Sequence, residues 1–152
     1  MGRGQRTRLA AGTLAATVLL SWAAPAPSAT AGITAEAKAV RLVNQARAEA
    51  GRKPLKREAR LDEIAERHAI RMRRAGRLFH QTNLAELVPG SWTYAGENVG
   101  YHRSVPDLHR AFMASRPHRA NILKARFDAI GIGVVRDKSG RVWSTQIFVD
   151  RG

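Results

Sequence analysis

The chain of 152 residues contains no cysteine, few aromatic residues (6%) and only 12 acidic residues against 26 basic ones. Without cysteine it has no disulfide framework, no thiol nucleophile and no zinc or iron–sulfur site built on thiolates. The hydrophobic fraction of 44% excludes a disordered basic tail, and the length predicts one domain. The formal charge of +14 by itself favours an anionic partner such as nucleic acid.

The first 31 residues have the pattern of a secretory signal peptide. Arg3, Arg6 and Arg8 precede an uncharged run from Leu9 to Ala24, and Ala29-Thr30-Ala31 has the small-residue pattern of a cleavage site. A membrane anchor would need roughly 20 apolar residues, and this run has 16. We therefore predict a signal peptide at 1–31 and a secreted single domain at 32–152, with no transmembrane segment after cleavage.

Export changes the interpretation of the charge. Cleavage would remove three arginines and no acidic residue, which lowers the net charge from +14 to +11. A secreted protein does not meet chromosomal DNA or RNA, so a specific nucleic-acid partner is not expected.

Helical periodicity dominates the first part of the predicted domain. Apolar residues recur along one helix face after Thr34, again from Leu61 to Met72 with a stop near Gly76, and a third time after the capping box Ser104–Asp107. A short fourth helix is predicted near Pro117.

The C-terminal part has the pattern of strands. Residues 130–135 and 142–149 predict two strands that pair as a hairpin. Gly131 and Gly133 leave one face of the first strand bare, which permits a helix or strand to pack closely. Helices followed by strands predict an α+β fold.

The candidate chemistry rests on two histidines and one glutamate, because the usual hydrolase, zinc-protease and phosphate-loop motifs are absent. His80 follows the second helix, and His118 lies at the start of the fourth, where the helix dipole favours neutral imidazole. Glu97 lies within the unusual tripeptide Gly96-Glu97-Asn98. Two imidazoles and a carboxylate can bind zinc or another divalent metal, or transfer protons.

The other polar residues have structural interpretations. His68 lies on the apolar stripe of the second helix and is predicted to be a core histidine bonded to backbone. His102 and His109 are predicted to lie at the surface, and Arg47 to form an ion pair. Trp143 and Gln146, three apart on a strand, should face opposite ways, with Gln146 toward the cleft.

A series of motifs in a fixed order resembles the bacterial CAP domain, the superfamily of cysteine-rich secretory, antigen 5 and pathogenesis-related proteins (also called SCP). The resemblance spans residues 33–150 and rests on Leu42-Val43-Asn44-x-x-Arg47, Gly51-x-x-Pro54-Leu55, His80, Gly96-Glu97-Asn98, His118-Arg119-x-Asn121-Ile122-Leu123, Ile130-Gly131-Ile132-Gly133 and Trp143-x-x-Gln146.

The resemblance implies an α-β-α sandwich with a central antiparallel sheet and a cleft lined by two histidines and two glutamates. By motif, His80 and His118 are the histidines and Glu97 is the first glutamate. Ser115 occupies the fourth position, where the second glutamate is expected. This loss weakens any mechanism that needs two carboxylates.

Three functions remain open at this point. The first is a secreted, non-catalytic module whose cleft of His80, Glu97 and His118 binds a divalent metal or a small ligand. The second is a metal-assisted hydrolase of peptide or cell-wall material, with Glu97 as the catalytic base. The third is a cationic adhesion module for anionic wall polymers or lipids. The expected partner is an extracellular ligand or an anionic cell-envelope polymer, and the sequence leaves the oligomeric state open.

Overall fold

The computed structural model describes residues 33–152 of the chain. The predicted signal peptide at residues 1–31 lies outside the described residues, so cleavage, secretion and the start of the domain stay predictions. Within residues 33–152, no helix combines the length and the apolar character needed to cross a membrane.

The described residues form five helices and four strands. In chain order these are α1 (Ala35–Glu49), β1 (Lys56–Arg57), α2 (Ala59–Ala75), α3 (Leu84–Leu87), β2 (Tyr94–His102), α4 (Val105–Ala114), α5 (Arg116–Leu123), β3 (Ala129–Arg136) and β4 (Val142–Asp150). The predicted helices correspond to α1, α2, α4 and α5, and the predicted hairpin to β3 and β4. The elements β1, α3 and β2 were not predicted.

Local signals set the helix ends as the sequence predicts. Thr34 Oγ1 accepts a hydrogen bond from the Ala37 N–H at 3.2 Å and begins α1. The α2 helix ends at Gly76, whose φ of 65° is left-handed. The Ser104 hydroxyl accepts from the Asp107 N–H at 3.2 Å at the start of α4.

The strands of the described residues form one sheet in the order β1-β3-β4-β2. The pairs β2–β4 and β3–β4 are antiparallel, whereas the two-residue β1 lies parallel to β3. Helices α1, α4 and α5 pack on one face and α2 on the other. The predicted α-β-α sandwich is confirmed, with β1 as a parallel addition to an antiparallel sheet.

Two apolar layers flank the sheet. The larger one joins α1, α4 and α5 to the sheet and contains Ala39, Val43, Ala46, Leu55, Val105, Leu108, Phe112, Ile122, Phe127, Ile130, Ile132, Val142 and Phe148. The layer under α2 contains Leu61, Ile64, Ala65, Val88, Ala129, Ile147 and Val149.

Gly131 and Gly133 allow α2 to cross β3 at backbone contact. A Cβ atom at Gly131 would lie 2.2 Å from Leu61 Cβ, and one at Gly133 would lie 2.1 Å from the backbone nitrogen of Glu66. Neither distance is possible for real atoms. The close packing predicted from the glycine pair is confirmed, and its partner is the helix that leads to His80.

Arg47 is fully buried on α1, and its guanidinium binds backbone carbonyls. Nε donates to Lys53 O at 2.8 Å, Nη1 to Ile122 O at 2.8 Å and Lys124 O at 2.9 Å, and Nη2 to Phe127 O at 3.1 Å. Among residues 33–152 no carboxylate lies within 4.0 Å of it. The predicted ion pair is therefore wrong, because carbonyl dipoles compensate the charge.

Strand β2 was not predicted from the sequence, because its composition disfavours a strand. It contains two glycines, a glutamate and an asparagine, all poor strand formers. Packing explains the glycine at position 100: a Cβ there would lie 2.8 Å from Phe112 Cε1 and 2.9 Å from Leu108 Cδ1. Gly100 therefore lets α4 lie directly against this edge strand.

We expect Gly133→Ala to lower the free energy of unfolding by about 3 kcal/mol, the upper end of overpacking costs, because the new methyl group must push α2 away from β3. The matched variant Gly140→Ala adds a Cβ that meets nothing within 4 Å, at a φ of +83°. This variant should lower the free energy of unfolding only by the backbone strain, about 1–2 kcal/mol. Urea unfolding followed by circular dichroism measures both. Equal losses would contradict the proposed helix–strand contact.

Candidate functional site

The candidate site is built around two consecutive residues of the edge strand β2. Successive side chains of a strand point to opposite faces, so Glu97 faces the α2 side and Asn98 faces the α5 side. The hydrogen bonds of the two residues agree, since Glu97 bonds residues that follow α2 and Asn98 bonds residues of α5 and β4.

The carboxylate of Glu97 holds His80. His80 Nδ1 lies 2.7 Å from Glu97 Oε2, and because a carboxylate only accepts, Nδ1 carries the proton. Gln81 donates twice more, from its backbone N–H to Oε2 at 3.1 Å and from Nε2 to Oε1 at 3.0 Å. The Glu97 side chain is 5% exposed and that of His80 is 62% exposed. A buried carboxylate thus orients an accessible imidazole.

His68 supports this arrangement from α2. It is fully buried, and its Nε2 lies 2.8 Å from Phe79 O, so the predicted core histidine bonded to backbone is confirmed. Arg71 Nη2 donates to His68 Nδ1 and to Gln81 Oε1, both at 2.9 Å. Because Arg71 must donate, Nε2 carries the proton of a neutral ring. Burial is the main cause that lowers the pKa of His68.

Asn98 secures the other side of the site. Its Nδ2 donates to His118 O and to Gln146 Oε1, both at 3.1 Å. Asn121 Nδ2 donates to Asn98 Oδ1 at 2.9 Å and to Glu97 O at 3.2 Å. Asn98 and Asn121 therefore attach α5 to the edge strand, and the buried Gln146 faces the same side of the sheet as Asn98.

His118 is paired with the residue at the fourth cleft position. Its Nδ1 lies 2.8 Å from Ser115 Oγ, and its ring packs on Phe112 with centroids 4.9 Å apart. Ser115 lies between α4 and α5, and its hydroxyl makes no capping bond to α5. The pKa of His118 is lowered, first by burial and then by the positive charge of His80. Burial is thus the main cause.

Gly96 completes the tripeptide for a steric reason. A Cβ at this position would lie 3.1 Å from both Asn121 Oδ1 and Phe127 Cζ. Any side chain would therefore press against the residue that ties α5 to β2. Gly96 provides space, Glu97 holds one histidine and Asn98 holds the backbone of the other.

Residues 33–152 contain no ready-made group of three histidine or carboxylate side chains placed to bind a metal. Both Glu97 oxygens already accept hydrogen bonds, and each histidine uses Nδ1. The described hydrogen bonds leave Nε2 of His80 and Nε2 of His118 without a partner. Beside His80 lies a cavity of about 350 Å³ lined by His68, Arg71, Phe79, His80, Gln81, Thr82, Asn83 and Leu87.

Sequence reasoning missed Arg71 and Gln81, which connect His68 to Glu97. One signal was available, because Arg71 lies three residues after His68 and therefore shares its helix face. His109 was also misjudged. It is half-buried rather than exposed, its Nδ1 has no described partner, and burial lowers its pKa.

Comparison with known proteins gives a consistent result. The model of the cysteine-rich secretory protein family, CAP, matches residues 40–148. The uncharacterized protein YkwD of Bacillus subtilis is 32% identical over 121 residues, which covers 74% of this chain and 46% of YkwD. The chain thus spans less than half the length of this relative.

Two solved structures have a similar fold. A cysteine-rich secretory protein of Staphylococcus aureus superimposes with a TM-score of 0.64 at 27% identity, covering 74% of this chain and 37% of that one. An extracellular protein of Bacillus anthracis that contains an SCP domain gives a TM-score of 0.65 at 23% identity, covering 75% and 39%. The second likeness supports the fold alone.

We expect acid to destabilise the protein through His68. Its folded pKa lies below the ordinary value of 6.5, so the unfolded chain binds the proton more readily. The free energy of unfolding should therefore fall as the pH drops through and below that value, by up to about 1.4 kcal/mol per pH unit. His68→Gln keeps an acceptor for Arg71 and a donor for Phe79 without titrating.

Urea unfolding at pH 7.5 and 5.5, in EDTA, measures this dependence. His68→Gln should show a shallower loss than the parent, with the remainder due to His109 and His118. A loss of unchanged size in His68→Gln would show that His68 does not resist protonation.

Proposed function

The chain belongs to the cysteine-rich secretory protein (CAP) family, and from this premise we propose that it is a secreted, non-catalytic binding module. Its cleft holds one divalent metal ion, such as zinc, or a small ligand, between His80 and His118. Secretion rests on the predicted signal peptide and is supported by the similarity to the cysteine-rich secretory protein of Staphylococcus aureus. The partner is then an extracellular ligand or an anionic polymer of the cell envelope.

The observation that carries the proposal is the pairing of both histidines through Nδ1. Glu97 accepts from Nδ1 of His80, and Ser115 Oγ lies against Nδ1 of His118. Metal-binding histidines typically use one ring nitrogen for the metal and the other for a carboxylate or another polar group. The donor set therefore fits a metal bound by two imidazole Nε2 atoms, with remaining positions open to water or ligand.

Glu97 has an orienting role in this site. The sequence suggested it as a third metal ligand or a catalytic base. Its oxygens instead accept three hydrogen bonds from His80 and Gln81, which suits a group that orients an imidazole. When bound, the metal would supply a positive charge and open coordination positions.

The same contacts argue against hydrolysis. A general base must take a proton from a water within hydrogen-bond reach, whereas the Glu97 side chain is 5% exposed and fully engaged. Ser115 gives the fourth position no carboxylate, so the acid–base pair expected of a hydrolase is incomplete. No contact in the described residues favours the hydrolase hypothesis over binding.

Zinc titration of the purified protein by calorimetry, after removal of metal with EDTA, tests the proposal. We expect saturable binding of one zinc ion that His80→Ala and His118→Ala each abolish. Glu97→Gln should weaken binding about 10–100-fold, the usual effect of losing an orienting partner. His102→Ala is the matched control, because this half-exposed histidine contacts neither Glu97 nor Ser115.

Circular dichroism must show that every variant is folded. The proposal fails if the parent takes up no zinc, or if His102→Ala loses as much affinity as the cleft variants. If Glu97→Gln abolishes binding as completely as either histidine variant, Glu97 is a direct ligand rather than an orienting group.

A further inference from the structure

A second concave site lies where β2 ends beside the β3–β4 turn. Tyr101 of β2 pairs with Trp143 of β4, and the turn brings Ser139 and Arg141 next to them. A cavity of about 450 Å³ is lined by Tyr101, His102, Arg103, Ser139, Gly140 and Arg141. This volume lies within the range of small-ligand sites, and the cavity contains none of the residues of the histidine cleft.

The cavity contains an aromatic surface and an arginine held against it. Tyr101 is 44% exposed, whereas its cross-strand neighbour Trp143 is buried, and the two ring centroids lie 4.8 Å apart. The guanidinium of Arg141 lies 4.8 Å from the Tyr101 centroid and 5.8 Å from the Trp143 centroid. Cation–π contact positions this charge in advance, so a ligand that binds it has less side-chain freedom to remove.

The nearby carboxylates engage only part of the hydrogen-bond donors of Arg103 and Arg141. Asp137 accepts from the backbone and hydroxyl of Ser139, the backbone of Arg141 and Nε1 of Trp143. Arg141 Nε is 3.7 Å from Asp137, which is longer than a hydrogen bond. Arg103 uses only Nε, at 2.7 Å from Asp107, and is 80% exposed. The terminal nitrogens of both guanidiniums therefore remain available for an anion.

Three features of the lining together define the ligand. Guanidinium groups favour a carboxylate or phosphate. The Ser139 oxygen and the His102 ring provide hydrogen-bonding partners for hydroxyl groups, and the exposed part of the Tyr101 ring provides an apolar surface beside the Arg141 guanidinium. A sugar that carries an acidic group presents all three kinds of surface within one compact unit. We propose that this pocket binds an anionic saccharide through Tyr101, Arg103 and Arg141.

An acidic protein segment matches the pocket less well. A stable protein partner typically covers about 800 Å² on each side, whereas this site is a cavity of about 450 Å³ lined by six residues. An acidic peptide also brings the charge without the ring of hydroxyl groups.

Tyr101 is four residues from Glu97 on the same face of β2, roughly 13 Å along the strand. Binding here is therefore separable from metal binding at His80 and His118.

Calorimetric titration of the purified protein in EDTA and 0.15 M salt tests the proposal. The probes are trigalacturonate for a sugar carboxylate, glucose 1-phosphate for a sugar phosphate, maltotriose as the neutral sugar, inorganic phosphate as the bare anion and triglutamate as the acidic peptide. We expect at least one acidic sugar to bind saturably, and more tightly than the other three kinds of probe. Which acidic sugar binds identifies the preferred anion.

Tyr101→Leu and Arg141→Gln should each weaken that binding about tenfold or more. Arg103→Gln should also weaken that binding, and because the Arg103 side chain is exposed, this variant carries little risk to the fold. Arg67→Gln is the matched control, because it removes the same charge from an exposed position on α2 with only a 3.9 Å ion pair. Its affinity should stay within about twofold of the parent.

Several outcomes would overturn the proposal. Equal weakening by Arg67→Gln and Arg141→Gln would show that net charge alone attracts the sugar. Equal affinity for maltotriose would remove the role of the arginines, and equal affinity for inorganic phosphate would leave only an anion site. Tighter binding of triglutamate would assign the pocket to an acidic protein segment. No saturable binding of either acidic sugar would exclude the site, whatever the result with zinc.

Discussion

The buried guanidinium of Arg47 is the interaction on which the α5 side of the molecule depends. It binds the carbonyls of Ile122 and Lys124 at the end of α5 and that of Phe127 just before β3. A buried charge without a carboxylate is stable only when its donors are satisfied, and here the backbone satisfies them. Since α5 carries His118, this contact from α1 helps to determine where one half of the cleft lies.

The cleft itself follows from the alternation of side chains along an edge strand. Glu97 reaches across one face to His80, while Asn98 reaches across the other to the backbone of His118. Backbone contact at Gly131 and Gly133 sets the position of α2, from which His68 and Arg71 support the Glu97 side. Glu97 and Asn98, two adjacent residues, thus position both histidines, and each histidine retains Nε2 for a ligand.

Much of the fold was predictable, because α1, α2, α4, α5 and the hairpin each have a clear hydrophobic period or cap. Strand β2 was not, since tertiary packing against α4 and α5 overrides its poor strand propensity. Family resemblance identified His80, Glu97 and His118. The placement of the two histidines on opposite faces of β2 could be predicted only by knowing that Glu97 lies in a strand. The partners of Arg47 are backbone carbonyls, which no side-chain pattern reveals.

In the proposed site, His80 and His118 bind the metal together, and Glu97 orients His80. A crystal structure of the zinc-loaded protein tests this most directly. We expect one zinc ion at about 2.0–2.1 Å from Nε2 of both histidines, with Glu97 still bonded to Nδ1 of His80. Zinc bound by a single histidine, or directly by the Glu97 carboxylate in place of His118, would contradict it.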